Sequence, residues 1–182
     1  MSVPGTPPSR IVSSAHLVSE DAAELSEFEY GLMVAGSAFN RWMVRCMAAA
    51  NTDGAGDGAG LDMAALDVQV LHTVNHRDRE KKLADICFTL NVEETHLVNY
   101  ALKKLVKAGL VAATKRGKEA HYATTRDGKA LCARYRDVRD ACLIETLAAV
   151  GAIDNAEVGQ AASVLRALSG LYDQAARAAT SL

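Results

Sequence analysis

The sequence predicts a mainly α-helical protein with a small β-hairpin in its middle third. Three observations carry this. Apolar residues recur at three- to four-residue spacing through most of the 182-residue chain, the signature of helices with one buried face. Aromatic residues make up only 5%, too few for a large β domain, whose strands are enriched in them. One stretch, LVAATKRGKEAHYATT at 110–125, instead reads as two short strands around a glycine turn.

The elements follow in order. All three prolines (Pro4, Pro7 and Pro8) fall in the first eight residues, so 1–15 is expected to be a flexible arm. A long helix is expected over about 20–50, capped by Ser19 with Asp21 and Glu24 in its first turn. Its apolar stripe runs through Leu25, Phe28, Leu32, Ala35, Phe39, Trp42, Val44 and Met47. The segment NTDGAGDGAG at 51–60 reads as a connector: it lacks both the GK[ST] of a phosphate loop and the spaced carboxylates of a calcium loop. A second helix over 62–76 places Ala65, Val68, Leu71 and Val74 on one face, with His72 and His76 one turn apart. Two histidines alone do not complete a zinc site, so no metal or cofactor is expected.

Residues 79–90 form a helical pattern through Leu83, Ile86, Cys87 and Leu90. Asn91 is then expected to cap the next helix, with Glu94 in capping-box position. That helix carries Leu97, Val98, Ala101, Leu102 and Leu105 on one face and stops at Gly109. Strands are expected at about 110–115 and 119–124, joined by Arg116-Gly117-Lys118. Thr125 caps a helix running from Arg126 to about Val150, and a last Ala-rich helix follows Asp154–Asn155 to about Ala179.

Charge is distributed unevenly. Residues 77–139 carry 15 basic and 8 acidic side chains, while the flanks on both sides are net negative. A positive island of this kind attracts polyanions even though the whole chain is close to neutral, at −2. No apolar run reaches the roughly 18 residues of a membrane span, and no signal peptide is evident. A cytoplasmic protein with reduced thiols at Cys46, Cys87, Cys132 and Cys142 is therefore expected, with no membrane partner. No nucleophile elbow, nucleotide fingerprint or metal triad is present, so the chain is not expected to be an enzyme.

Helix, turn, helix and basic-tipped hairpin is the order of a winged helix-turn-helix. The second helix of that unit leaves Thr95, His96, Asn99, Tyr100 and Lys103 on its outer face, types suited to base edges and phosphates. The hairpin tip offers Arg116 and Lys118, and Arg77 lies near the start of the island.

At LAD (83–85), YALKKLVKAGLV (100–111) and TTRDGKAL (124–131), the chain resembles the MarR family of bacterial winged helix-turn-helix transcription regulators over roughly 20–182. It departs from the family in carrying KRGK where an Asp-x-Arg wing motif usually stands. It departs again between Leu83 and Gly109, a stretch about one helical turn longer than usual.

The resemblance implies long dimerisation helices at both ends, with 16–60 and 126–182 as dimerisation region and 61–125 as DNA-binding lobe. It implies a homodimer on double-stranded DNA with a pseudo-palindromic site. It also implies a small-molecule effector pocket, with Phe39, Trp42 and His72 as candidate lining. The alternative is a winged-helix module that contacts protein and binds no specific DNA.

Overall fold

The computed structural model describes residues 14–52, 61–151 and 154–182. Residues 1–13 of the expected arm and residues 53–60 of the connector lie outside them. The elements are α1 (Ala23–Thr52), α2 (Ala65–Asn75), β1 (Lys81–Lys82), α3 (Leu83–Leu90), α4 (Thr95–Lys107), β2 (Val111–Arg116), β3 (Glu119–Thr124), α5 (Arg126–Arg139), α6 (Glu145–Val150) and α7 (Asn155–Ala179). Two units divide the chain, Met1–Tyr135 and Arg136–Leu182.

The first unit holds the core. Periodic apolar positions of α4 (Val98, Ala101, Leu102 and Leu105) are all buried, as are Val68, Leu71 and Val74 of α2 and Ile86 of α3. Leu131 and Tyr135 of α5 join them. Each fully buried side chain of this size stabilises the fold by about 1.5–3 kcal/mol. The stripe of α1 is displaced from the expected one. Met43, Cys46, Met47 and Ala50 are buried, whereas Leu25, Leu32 and Phe39 remain exposed. Only the last third of α1 therefore meets the core of this unit.

Four local expectations are corrected. Asn91 does not start α4; it ends α3 in the left-handed conformation (φ 52°), where its N–H and that of Val92 reach the carbonyls of Phe88 and Cys87. Asn is one of the few residues that adopts this conformation readily. α4 begins later, at Thr95, and Leu97, one residue before the buried stripe of Val98, Ala101, Leu102 and Leu105, is exposed. Lys81 and Lys82, expected in a helix, pair as an edge strand with Tyr122 and His121 of β3. α2 ends at Asn75, so His76 is not on the same helix as His72.

Other expectations hold. α4 closes on Gly109 (φ 73°), with Gly109 N–H bonded to Val106 O and Leu110 N–H to Leu105 O, both 3.0 Å. This double closure needs a left-handed residue at its centre. β2 and β3 pair from Val111↔Thr124 to Arg116↔Glu119 around the two-residue loop Gly117–Lys118. Thr125 caps α5, its Oγ1 accepting the Gly128 N–H at 3.1 Å. The sheet order is β1-β3-β2.

In the second unit the helical path is wider at Asp140–Ile144, where the Glu145 N–H reaches back five residues to Asp140 O. α7 follows Asp154 as expected, and Asp154 caps it, accepting from the Ala156 N–H and donating its own N–H to Glu157. No residue of α7 is buried.

Candidate nucleic-acid interface

Burial of one stripe of α4 determines what the other side shows. Thr95, His96, Tyr100 and Lys103 are exposed, and Asn99 is partly so. Tyr100 is 71% exposed, leaving its ring and hydroxyl available to a partner. Among the described residues the Asn99 amide has no hydrogen bond, so its donor and acceptor are both uncommitted. The helix is tied down from behind. Lys104 Nζ lies 2.6 Å from Oδ2 of Asp67, and that oxygen also accepts the Ala64 N–H at the start of α2, at 2.8 Å. Asp67 is buried, so the pair braces α4 against α2, and Lys104 does not belong with the outward cations. Sequence reasoning missed this brace because a lone Asp in an amphipathic helix reads as solvated.

The wing is a mosaic of pairs. Arg116 Nη2 lies 2.8 Å from Glu80 Oε2, with His121 Nδ1 at 3.9 Å from the same oxygen. Lys82 and Glu119 pair at 2.6 Å; this contact holds the Glu119 carboxyl below its ordinary value and raises that of Lys82. Lys115 and Lys118 have no ion pair among the described residues.

Arg77 is exposed in the turn that follows α2, with a left-handed backbone (φ 60°) followed by Asp78 (φ 47°). Buried Lys81 holds this bend, its Nζ donating to the carbonyls of Val74 (3.0 Å), His76 (2.5 Å) and Arg79 (3.2 Å). Its ammonium has carbonyl partners in place of water, and burial lowers its pKa. Nothing in RDREKK distinguishes Lys81 from its neighbours; only the fold does. Asp78 is in turn bound by Lys129 of α5 at 2.5 Å.

The three residues expected to line an effector pocket are split. Phe39 is 55% exposed. Trp42 and His72 are partly buried, and among the described residues Trp42 Nε1 and His72 Nε2 have no hydrogen-bond partner. The His72 ring stands edge-on to Tyr135 with centroids 4.5 Å apart, and burial lowers its pKa. A separate open groove of about 320 Å³ is lined by Asn40, Arg41, Val44, Arg45 and Ala65. None of the three expected residues lines it. Among the described residues no helix is long and apolar enough to cross a membrane, and no group of three or more His, Cys, Asp or Glu is placed to hold a metal ion.

This geometry agrees with what the chain is similar to. A family model described as a winged-helix DNA-binding domain matches residues 63–128. No curated protein matches the sequence. Among solved structures, NMB1585, a MarR family regulator from Neisseria meningitidis, has a TM-score of 0.61 at 14% identity, covering 84% of this chain and 95% of its own. A MarR family transcriptional regulator from Rhodococcus sp. RHA1 has a TM-score of 0.60 at 15% identity, covering 82% and 96%. CouR from Rhodococcus jostii RHA1, solved bound to p-coumaroyl-CoA, has a TM-score of 0.56 at 15% identity, covering 82% and 95%.

Proposed function

We propose that this chain, which has the winged-helix fold of MarR-like regulators, is a homodimeric transcription regulator that binds a pseudo-palindromic site on double-stranded DNA. Residues 61–125 form the DNA-binding lobe, and 16–60 with 126–182 form the dimerisation region. α4 enters the major groove, where Thr95, His96, Asn99 and Tyr100 meet base edges. Lys103, Arg77, Lys118 and Arg116 hold phosphates.

The observation that carries this reading is the outer face of α4. It is polar and exposed, and it holds an uncommitted amide although the opposite face is fully buried. A helix kept only for packing has no need of that set. By analogy with the relative solved with p-coumaroyl-CoA, a small molecule modulates binding, held near Phe39, Trp42 and His72. The protein works in the cytoplasm and carries out no catalysis.

A protein-contact module is the second reading. It is favoured by Phe88, an aromatic residue 89% exposed on the outer side of α3. Binding of the purified chain to random duplexes across a salt series separates the two. DNA binding through phosphates weakens steeply with salt, and selection from genomic fragments followed by footprinting then yields two half-sites. Absence of salt-dependent binding to any duplex refutes the regulator reading.

A further inference from the structure

Arg116, the wing cation expected to hold a phosphate, is already engaged. Glu80, just ahead of β1, has its Oε2 2.8 Å from the Arg116 guanidinium, and His121 approaches the same oxygen at 3.9 Å. The strand register sets the surroundings of this contact. Lys82 lies across from His121, His121 across from Thr114, and Glu119 across from Arg116. Directly paired residues, and residues two apart on a strand, share a face of the sheet. Lys82, Thr114, Arg116, Glu119 and His121 therefore stand on one side, with Glu119 committed to Lys82 at 2.6 Å. Two cations on this face are matched by two carboxylates, while neighbouring Lys115 and Lys118 have no ion pair among the described residues.

We propose that Glu80 is a gate on the wing: it occupies the Arg116 guanidinium and so lowers the protein's affinity for duplex DNA without regard to sequence. The proposal rests on the reading of the lobe as a DNA binder. Arg116 remains largely exposed, and an ion pair that open to water contributes little to folding. Its effect falls on what approaches from outside. A phosphate within hydrogen-bonding reach of Arg116 must come within a few ångströms of the Glu80 carboxylate, and like charges repel whether or not the Arg–Glu contact breaks. Phosphates carry no base identity, so the penalty is the same on every duplex. It is the reverse of a lysine at the same surface. Glu80 holds the wing below the affinity that its cations would otherwise provide.

The test uses the full chain carrying Glu80→Gln, Arg116→Ala or both, titrated on a random-sequence duplex and on a duplex selected by the wild type, across a salt series. Glu80→Gln keeps the shape and removes the charge; Glu80→Ser removes the same charge in a second way should the first variant fold poorly. Expected is a gain in affinity on both duplexes. The salt slope steepens by about 0.9 per wing, which amounts to roughly a further threefold per wing when salt is lowered fourfold. In the Arg116→Ala background, where no guanidinium draws a phosphate beside the carboxylate, Glu80→Gln gives a much smaller gain. Unchanged or weaker binding by the Glu80 variants overturns the gate. So does an equal gain with and without Arg116, which would make Glu80 a diffuse charge. If the wild type binds neither duplex, the DNA-binding reading falls and the gate with it; if it binds and the Glu80 variants match it, only the gate falls.

Discussion

Asn99 offers one donor and one acceptor in a fixed plane, the pair that adenine presents in the major groove. Its side chain has no competing bond among the described residues, and Thr95, His96 and Lys103, each one turn away, are polar. Asn99→Ala is expected to cost about 1–3 kcal/mol on a cognate duplex and to relax discrimination at one base pair per half-site. Lys103→Ala, which removes a proposed phosphate contact, is expected to weaken all duplexes about equally. Binding curves on cognate and singly substituted duplexes decide; a uniform loss from Asn99→Ala means that the residue reads no base.

His72 makes a different claim at the same scale. Burial lowers its pKa below the ordinary 6.5, so the unfolded chain takes up this proton more readily than the folded one. The neutral ring's contribution is complete above about pH 6.5 and is lost as pH falls below that value. Between pH 7 and pH 5, the thermal midpoint should therefore drop further in the wild type than in His72→Gln. Equal drops would show that nothing depends on keeping His72 neutral.

Among the elements, the start of α5 is the most tightly constrained. A Cβ on Gly128 would meet Leu110 O at 2.1 Å and Thr124 Cγ2 at 2.7 Å, both fixed by the closure of α4 and the end of β3. The first turn of α5 thus lies directly on the α4–β2 junction, and Thr125 ties it there by donating to Gly109 O at 2.7 Å. Gly128→Ala forces backbone apart and should destabilise the protein by about 1–3 kcal/mol in chemical denaturation. A variant as stable as the wild type would mean that the junction opens at no cost. The sequence TTRDGKAL announces the cap at Thr125, but not the contact. Glycine in a helix reads as a weakness until the neighbouring carbonyl is in view.

At the scale of the whole molecule, the exposed apolar residues concentrate on the terminal helices. Leu25, Leu32, Met33 and Phe39 of α1 and Val158, Leu165 and Leu171 of α7 are open to water in the single chain. Surface of that size and character is rarely left uncovered. Together with the buried stripes of α2 and α4, it distinguishes a lobe whose core closes on itself from helices whose exposed apolar faces are, in the proposed homodimer, covered by a second copy. Light scattering should report twice the 19.3 kDa chain mass. A monomer at micromolar concentration would contradict the dimer. Leu32→Glu with Phe39→Glu should shift the proposed dimer toward monomer, while the signal of a folded helical protein persists.

What the sequence alone determined was local and periodic: the buried stripe of α4, the glycine that closes it, the hairpin from 111 to 124 and the cap of α5 at Thr125. Spacing, turn chemistry and capping act within a few residues, so they are written where they act. Only the tertiary structure decided which of similar residues does what. Lys81 is buried against three carbonyls while Lys82 faces Glu119 in water, and Lys104 braces α4 while Lys103 one residue earlier is exposed with no ion pair among the described residues. The strand at Lys81–Lys82 exists because β3 offers it an edge 40 residues away in sequence, and Arg116 meets Glu80 for the same reason. A charge's partner depends on which distant segment the fold brings beside it, and no periodicity in the chain encodes that distance.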